Sequence, residues 1–297
     1  METKTDLREE IRRLSIETRF SQRLLEKDYH LTRILHKISE KSIKDLVFKG
    51  GTCLNKCYLG FYRLSEDLDF VFNQDVKGLS KAQIKKILDD LRRILFEILK
   101  ELGLETNKEL GKGWKMLTSK EEPKIVGLEV IATYNSLIDS SLQKIKIEIS
   151  FRKKLIKPTI MKAIHHEFID SLGQPILKED VEIEVIDLIE NFAEKFRALV
   201  TRKNIAIRDI YDIYFILKNN LLKITSEIKD LIIIKINESK KESFTKDDLI
   251  KFINDLESKL SGLNEKEISS VLKSGEKVEV NKMVKLITLS FEKQRGF

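Results

Sequence analysis

The chain has 297 residues, 41% hydrophobic and 35% charged, enough apolar material for one large core or two modest ones, so a wholly disordered chain is excluded. Lys and Arg total 55 against 48 Asp and Glu, a net charge of +7, which permits a polyanionic partner such as RNA or a nucleotide without demanding one. With 3 Pro, 12 Gly and many Leu, Ile, Glu and Lys, the composition favours helix.

The first stretch, METKTDLREEIRRLSIETRF, is charged throughout. No secretory signal is expected from it, and a reducing cytoplasm is the expected location. The longest apolar run, Ile213 to Leu217, falls far short of the roughly 20 residues that cross a bilayer, so no membrane partner is expected. Residues 6–42 carry apolar side chains at helical spacing, among them Leu24, Leu25, Tyr29, Leu31, Leu35 and Ile38. Leu46-Val47-Phe48 reads as a short strand running into Lys49-Gly50-Gly51-Thr52, and a short helix follows through Cys53 and Cys57. These two cysteines lack the neighbouring ligands of a zinc site, because His30, His36, His165 and His166 are scattered; they are expected as buried small hydrophobes.

Residues 64–72 (LSEDLDFVF) read as a strand, and residues 80–102 as an amphipathic helix. Residues 103–124 look loop-like. Residues 126–134 and 142–151 predict two strands joined by a hairpin loop, the second alternating Ile145, Ile147 and Ile149 with Lys144, Lys146 and Glu148. Residues 153–180 read as a connection with one short helix, and 182–186 as a brief strand. Helices then follow over 187–201, 206–218, 221–236, 245–260 and 279–290. This shift near residue 187 predicts an α+β unit over 1–186 and a helical lobe over 187–297.

The densest chemistry lies between Lys49 and Phe72. Gly50-Gly51-Thr52 sits where a strand gives way to a helix, so backbone N–H groups can face a phosphate and Thr52 adds a hydroxyl. Asp67 and Asp69 are two apart on a strand, so both carboxylates share a face and repel unless a cation joins them; such oxygen donors suit Mg²⁺, or Mn²⁺ in its place. A third carboxylate would serve a two-metal arrangement: Glu148 is the choice if its strand lies beside the Asp67–Asp69 strand, and Glu129 competes with it. A second cluster spans residues 190–214. Asn191, Lys195, Ala198 and Arg202 share one helix face, and Arg208, Asp209 and Asp212 follow. Its cations can hold nucleotide phosphates, and its carboxylates can take a proton from an attacking hydroxyl; a surface ion-pair network is the plainer alternative. An RNA-binding rim could use Lys112, Lys115, Lys144, Lys146, Arg152, Lys153 and Lys154.

Gly50-Gly51-Thr52 followed, after fourteen residues, by Asp67-Leu68-Asp69 resembles the signature of the nucleotidyltransferase fold shared with DNA polymerase beta. Arg63-x-Ser65-x-Asp67-x-Asp69, the later Lys195-x-x-Ala198-Leu199-x-x-Arg202 and Arg208-Asp209-x-x-Asp212, and the early Glu26-Lys27-Asp28-Tyr29 are similar to the AbiEii-type abortive-infection toxins of type IV toxin–antitoxin systems. The resemblance covers roughly residues 22–218, with the remainder matching only as a helical extension.

It implies a mixed sheet with flanking helices and a helical lobe closing a cleft. It implies transfer of a nucleoside monophosphate from an NTP to an acceptor, the 3′ end of tRNA in related toxins, with translation blocked. A protein or small-molecule acceptor, or a catalytically inactive RNA- or partner-binding protein, is the alternative. By the same resemblance Asp67, Asp69 and Glu148 hold the metal, although Asp is more usual at the position of Glu148. Gly50, Gly51, Thr52, Arg63, Lys195, Arg202 and Arg208 bind nucleotide, and Ser65 either binds phosphate or shapes the turn. Lys195, Asp209 and Asp212 join the catalytic set. A separately encoded antitoxin is implied as well.

Overall fold

The helical pattern over residues 6–42 is interrupted at Ser21. In the computed structural model, which describes residues 4–76, 78–118, 125–151, 154–239, 243–260 and 266–292, it forms two helices, α1 (Lys4–Thr18) and α2 (Gln22–Lys41). Arg19 takes a positive φ of 64°, and the Ser21 hydroxyl accepts from the Leu24 N–H as the cap of α2. The chain divides into two compact units, Met1–Ile186 and Asp187–Phe297.

In the first unit, β1 (Leu46–Lys49) leads into a one-turn helix α3 (Gly50–Cys53) that continues as a π-helical turn over Leu54–Leu59. Next come β2 (Asp67–Phe72), α4 (Lys81–Glu101), β3 (Trp114–Thr118), β4 (Ile125–Asn135), β5 (Leu142–Ser150), β6 (Ile160–Ala163) and β7 (Glu182–Val185). Ser80 and Gln83 close α4 with a reciprocal capping box. The described strands form one mixed sheet of order β3-β4-β5-β2-β1-β7-β6. The β4–β5 hairpin is antiparallel and β2 lies parallel to β5. Two expectations fail here. The polar stretch 103–124 contains β3, paired to β4, and the connection 153–180 contains the edge strand β6 with no helix among its described residues.

Alternation gives the sheet two unlike faces. Leu68 and Phe70 of β2, Ile145, Ile147 and Ile149 of β5, and Leu128 and Val130 of β4 are buried against Leu31, Ile34 and Leu35 of α2 and Leu88, Leu91 and Leu95 of α4. The opposite face receives Asp67, Asp69, Lys146, Glu148 and Glu129. Cys53 and Cys57 are free and buried beneath β1 and β2.

The second unit is helical in its described residues: α5 (Leu188–Thr201), α6 (Ile207–Lys218), α7 (Ser226–Asn237), α8 (Lys246–Asn254), α9 (Leu256–Leu260), α10 (Lys266–Ser269) and α11 (Val280–Glu292). Asp187 caps α5 by accepting from Ile189 and Glu190, and Thr225 caps α7, which therefore starts five residues later than the apolar pattern suggests. The run over 245–260 is broken between α8 and α9. The core gathers Phe192, Phe196, Ile213, Ile232 and Phe291, and the buried Lys235 of α7 pairs with Glu190 and Glu194 of α5. No helix among the described residues is long and apolar enough to cross a membrane.

Candidate active site

The turn after β1 is shaped by what lies against it. Gly50 has a φ of +81°, and a Cβ there would sit 2.6 Å from Asp69 Oδ2; a Cβ on Gly51 would sit 2.6 Å from Arg63 Nη2 and 3.4 Å from Ser65 Oγ. Only glycine meets both the left-handed backbone and the close approach at Gly50. The two glycines thus bring Asp69 against one peptide unit and Arg63 with Ser65 against the next. The Thr52 hydroxyl donates to the main-chain carbonyl of Asp67, so in this arrangement it positions the carboxylate strand rather than offering its hydrogen to a phosphate.

Register explains why the acidic residues meet. Asp69 is the β2 partner of Glu148 on β5 and of Lys49 on β1, Glu148 is the partner of Glu129 on β4, and Glu129 is the partner of Lys115 on β3. One row therefore reads Lys115, Glu129, Glu148, Asp69, Lys49. Two residues along, Asp67 is the partner of Lys146. The Lys146 ammonium lies 3.6 Å from Asp67 Oδ2 and 3.8 Å from Glu148 Oε2, while Glu129 is taken by Lys115 at 2.9 Å. Among the described residues no hydrogen bond or ion pair engages the Asp69 carboxylate.

Burial, above all, lifts the Asp67 carboxyl above its ordinary pKa; Lys146 works against that rise and Asp69 adds to it. For Lys146, burial opposes the charge, but Asp67, then Asp69, Glu148 and Glu129, outweigh it and hold the ammonium above its ordinary value.

The platform is braced from behind. Lys56, the charged residue of the π-turn, is wholly buried and donates to Asp28 Oδ2 at 2.9 Å and Thr32 Oγ1 at 2.8 Å. Lys27 reaches Glu66, which precedes Asp67, at 3.1 Å, and Glu26 accepts from Ser136 Oγ and Leu137 N at the tip of the β4–β5 hairpin. Consecutive residues of α2 thereby tie down the hairpin, the start of β2 and the π-turn. These long-range contacts have one local mark in the sequence, the lone Lys of the otherwise uncharged TCLNKCYL.

In the second unit, Lys195 of α5 lies 2.7 Å from Asp209 Oδ1 and 2.8 Å from Asp212 Oδ2 of α6. Arg202 closes on the second oxygen of Asp209. Asn191 is buried beneath them on α5, and Arg208 is half-buried in the first turn of α6. The expected rim is partly engaged elsewhere: Lys112 pairs with Glu109, Lys115 with Glu129, and Lys146 with the acids, while Lys144 and Lys154 are exposed. Arg152 and Lys153 lie outside the described residues.

Among the described residues no three His, Cys, Asp or Glu side chains form a ready-made metal cage. That still fits Mg²⁺, which is commonly held by one or two carboxylates and completed by water and substrate phosphates. Asp67 and Asp69, hard oxygen donors with Asp69 unpaired among the described residues, are such a pair. Glu148 stands in register beside them without closing a three-carboxylate cage.

The family described as "Nucleotidyl transferase AbiEii toxin, Type IV TA system" matches residues 33–277, which runs further into the helical unit than the motif resemblance did. Two crystal structures share the fold. JHP933 from Helicobacter pylori is 14% identical, with 92% of each chain covered and a TM-score of 0.53. A second H. pylori protein, provisionally described as a nucleotidyltransferase, is 14% identical, with 92% of this chain and 95% of that chain covered and a TM-score of 0.52. No curated protein matches the sequence.

Proposed function

This chain belongs to the AbiEii nucleotidyltransferase toxin family of type IV toxin–antitoxin systems, and from that premise we propose that it transfers a nucleoside monophosphate from an NTP to the 3′ end of tRNA, with Mg²⁺, and so blocks translation. Membership implies nucleotidyltransferase activity, an NTP substrate and a cognate antitoxin, and nucleotidyltransferases in general use a divalent metal. The observation that supports the metal and nucleotide part of this reading is the meeting of the Gly50–Gly51 turn with Asp69, in a row of carboxylates on one sheet face; the tRNA acceptor rests on the resemblance to related toxins.

Asp67 and Asp69 would hold Mg²⁺, with Glu148 assisting. When bound, the metal would neutralise triphosphate charge and favour ionisation of the attacking hydroxyl. Gly50 and Gly51 let Asp69 and Arg63 close on the turn, which brings a metal ligand and a cation together at the proposed phosphate site. Arg63, with Ser65, supplies positive charge and a hydroxyl beside Gly51. Thr52 and Lys56 act by position, the first fixing β2 and the second fixing the π-turn. In the second unit, Lys195, Arg202 and Arg208 would be phosphate-facing cations. Asp209 and Asp212 fix Lys195 or take the proton of the acceptor hydroxyl. The cytoplasm is the proposed location.

The test incubates the protein with each radiolabelled NTP, Mg²⁺ and total RNA. Label on the 3′ end of tRNA from one NTP is the expected result. Label on protein alone, or on no macromolecule, overturns the tRNA assignment in favour of a protein or small-molecule acceptor.

A further inference from the structure

The acidic face already contains a cation. Lys146 projects from β5 between Asp67 and Glu148, at 3.6 and 3.8 Å, both longer than a hydrogen bond. Its side chain is 36% exposed, and those of Asp67 and Glu148 are 42% and 32% exposed. Lys195, by contrast, is 12% exposed and lies within 2.8 Å of two carboxylates. Lys146 is therefore near enough to neutralise the carboxylates electrostatically and too loosely held to be fixed there. Its four-carbon stem lets the ammonium move while the strand stays in place.

We propose that Lys146 is the resident counter-ion of this face, occupying electrostatically the place a divalent metal would take, so that metal binds weakly by itself and well only together with a triphosphate. This rests on the reading of Asp67 and Asp69 as metal ligands. The physical reason is charge balance. Without a metal, Asp67, Asp69 and Glu148 stand together, and the ammonium offsets their repulsion. A divalent ion at the same carboxylates meets a positive charge a few ångströms away, which opposes its binding. A nucleotide triphosphate brings anionic oxygens that can take over the ammonium. Lys146 thereby makes entry of metal and nucleotide interdependent, and keeps the free protein from holding metal alone.

The experiment titrates Mn²⁺ into the full chain without nucleotide, by calorimetry and by the metal-induced rise in thermal midpoint. It compares the wild type with Lys146→Met, Lys146→Gln, Lys146→Arg and Asp69→Asn. Lys146→Met and Lys146→Gln should bind Mn²⁺ about tenfold more tightly, about 1.4 kcal/mol, and gain a larger metal-induced rise in midpoint. Lys146→Arg, which keeps the charge, should resemble the wild type. Added non-hydrolysable NTP should tighten Mn²⁺ binding more in the wild type than in Lys146→Met.

If Asp69→Asn abolishes binding but the neutral Lys146 variants bind no more tightly than the wild type, the counter-ion role is overturned and the metal reading survives. If Asp69→Asn binds Mn²⁺ as the wild type does, the metal reading itself is wrong and this inference falls with it. Binding undetectable in the wild type and in both neutral variants also overturns the counter-ion role, since removing the ammonium then exposes no metal site.

Discussion

Two lysine–carboxylate clusters among the described residues, around Lys195 and around Lys146, are built in opposite ways. On α5 and α6, Lys195 lies within 2.8 Å of Asp209 and Asp212, whose side chains are 7% and 0% exposed. On the sheet, Lys146 stays 3.6 Å from Asp67, both are more than a third exposed, and Asp69 has no partner among the described residues. The first cluster is neutralised internally and desolvated. The second is exposed and loosely paired among the described residues. The same residue types are therefore presented differently: the buried set would meet a phosphate only by loosening ion pairs it already makes, whereas the open set is exposed as it stands.

The sharpest way to break this contrast is Lys195→Ala. It removes the ammonium that two buried carboxylates share, and removing one partner of a buried pair typically destabilises by about 3–5 kcal/mol. A fall of that size in denaturant unfolding of the helical unit is expected, partly restored by adding Asp212→Asn. A variant with wild-type stability and lower transfer activity would show that this cluster, too, is available to a ligand.

Asp69→Ala comes next and should do the reverse. Loss of a metal carboxylate is expected to cost at least ~3 kcal/mol in the transition state, about 100-fold or more in rate. Stability should hold or rise, because a repelling charge is gone. Single-turnover labelling with radiolabelled NTP, alongside thermal melts, separates the two effects. Activity within a few-fold of wild type would remove Asp69 from the site. Gly50→Ala should be milder: the φ of +81° costs about 1–2 kcal/mol in an alanine, and its Cβ would meet Asp69 Oδ2 at 2.6 Å. Roughly tenfold slower transfer with modest destabilisation is expected by the same two measurements.

How much of this could be read from the chain differs between the same two regions. Alternation in Leu142–Ser150 and in Asp67–Phe72 placed the carboxylates on one face, because a strand's period is local. What alternation cannot supply is which strand lies beside which. The parallel pairing of β2 with β5 brings Glu148 beside Asp69 across nearly eighty residues, and it leaves Glu129 one strand further out, beside Lys115. Lys146 shares a face with Glu148 by the same alternation, yet its nearness to Asp67 also needed that pairing. The strands β3 and β6 escaped for another reason. The first lies among glycines and lysines, and the second is a four-residue edge with exposed Ile160 and Met161, so neither shows a strand's apolar signature. In the helical unit, spacing put Lys195 on one helix face and Asp209 with Asp212 on a face of the next helix, but said nothing of which faces meet or of burial. Burial and close pairing set them apart from the sheet cluster.

The smallest expected effect examines the edge of the acidic row. Lys115 is half exposed and Glu129 is 15% exposed, so their 2.9 Å pair should contribute no more than about 1 kcal/mol. Lys115→Met should therefore lower stability by less than that in denaturant unfolding. Its use lies in what it does to the row. With Lys115 gone, Glu129 loses its ion-pair partner beside Glu148, and Lys146 is a cation whose charge it already acts on. If the open set depends on Lys146 being loosely held, Lys115→Met should change Mn²⁺ affinity by no more than a few-fold, because the added negative charge favours metal and ammonium alike. A tenfold or larger change would mean that Glu129 takes part in holding the metal, which would make Glu129 rather than Glu148 the third carboxylate.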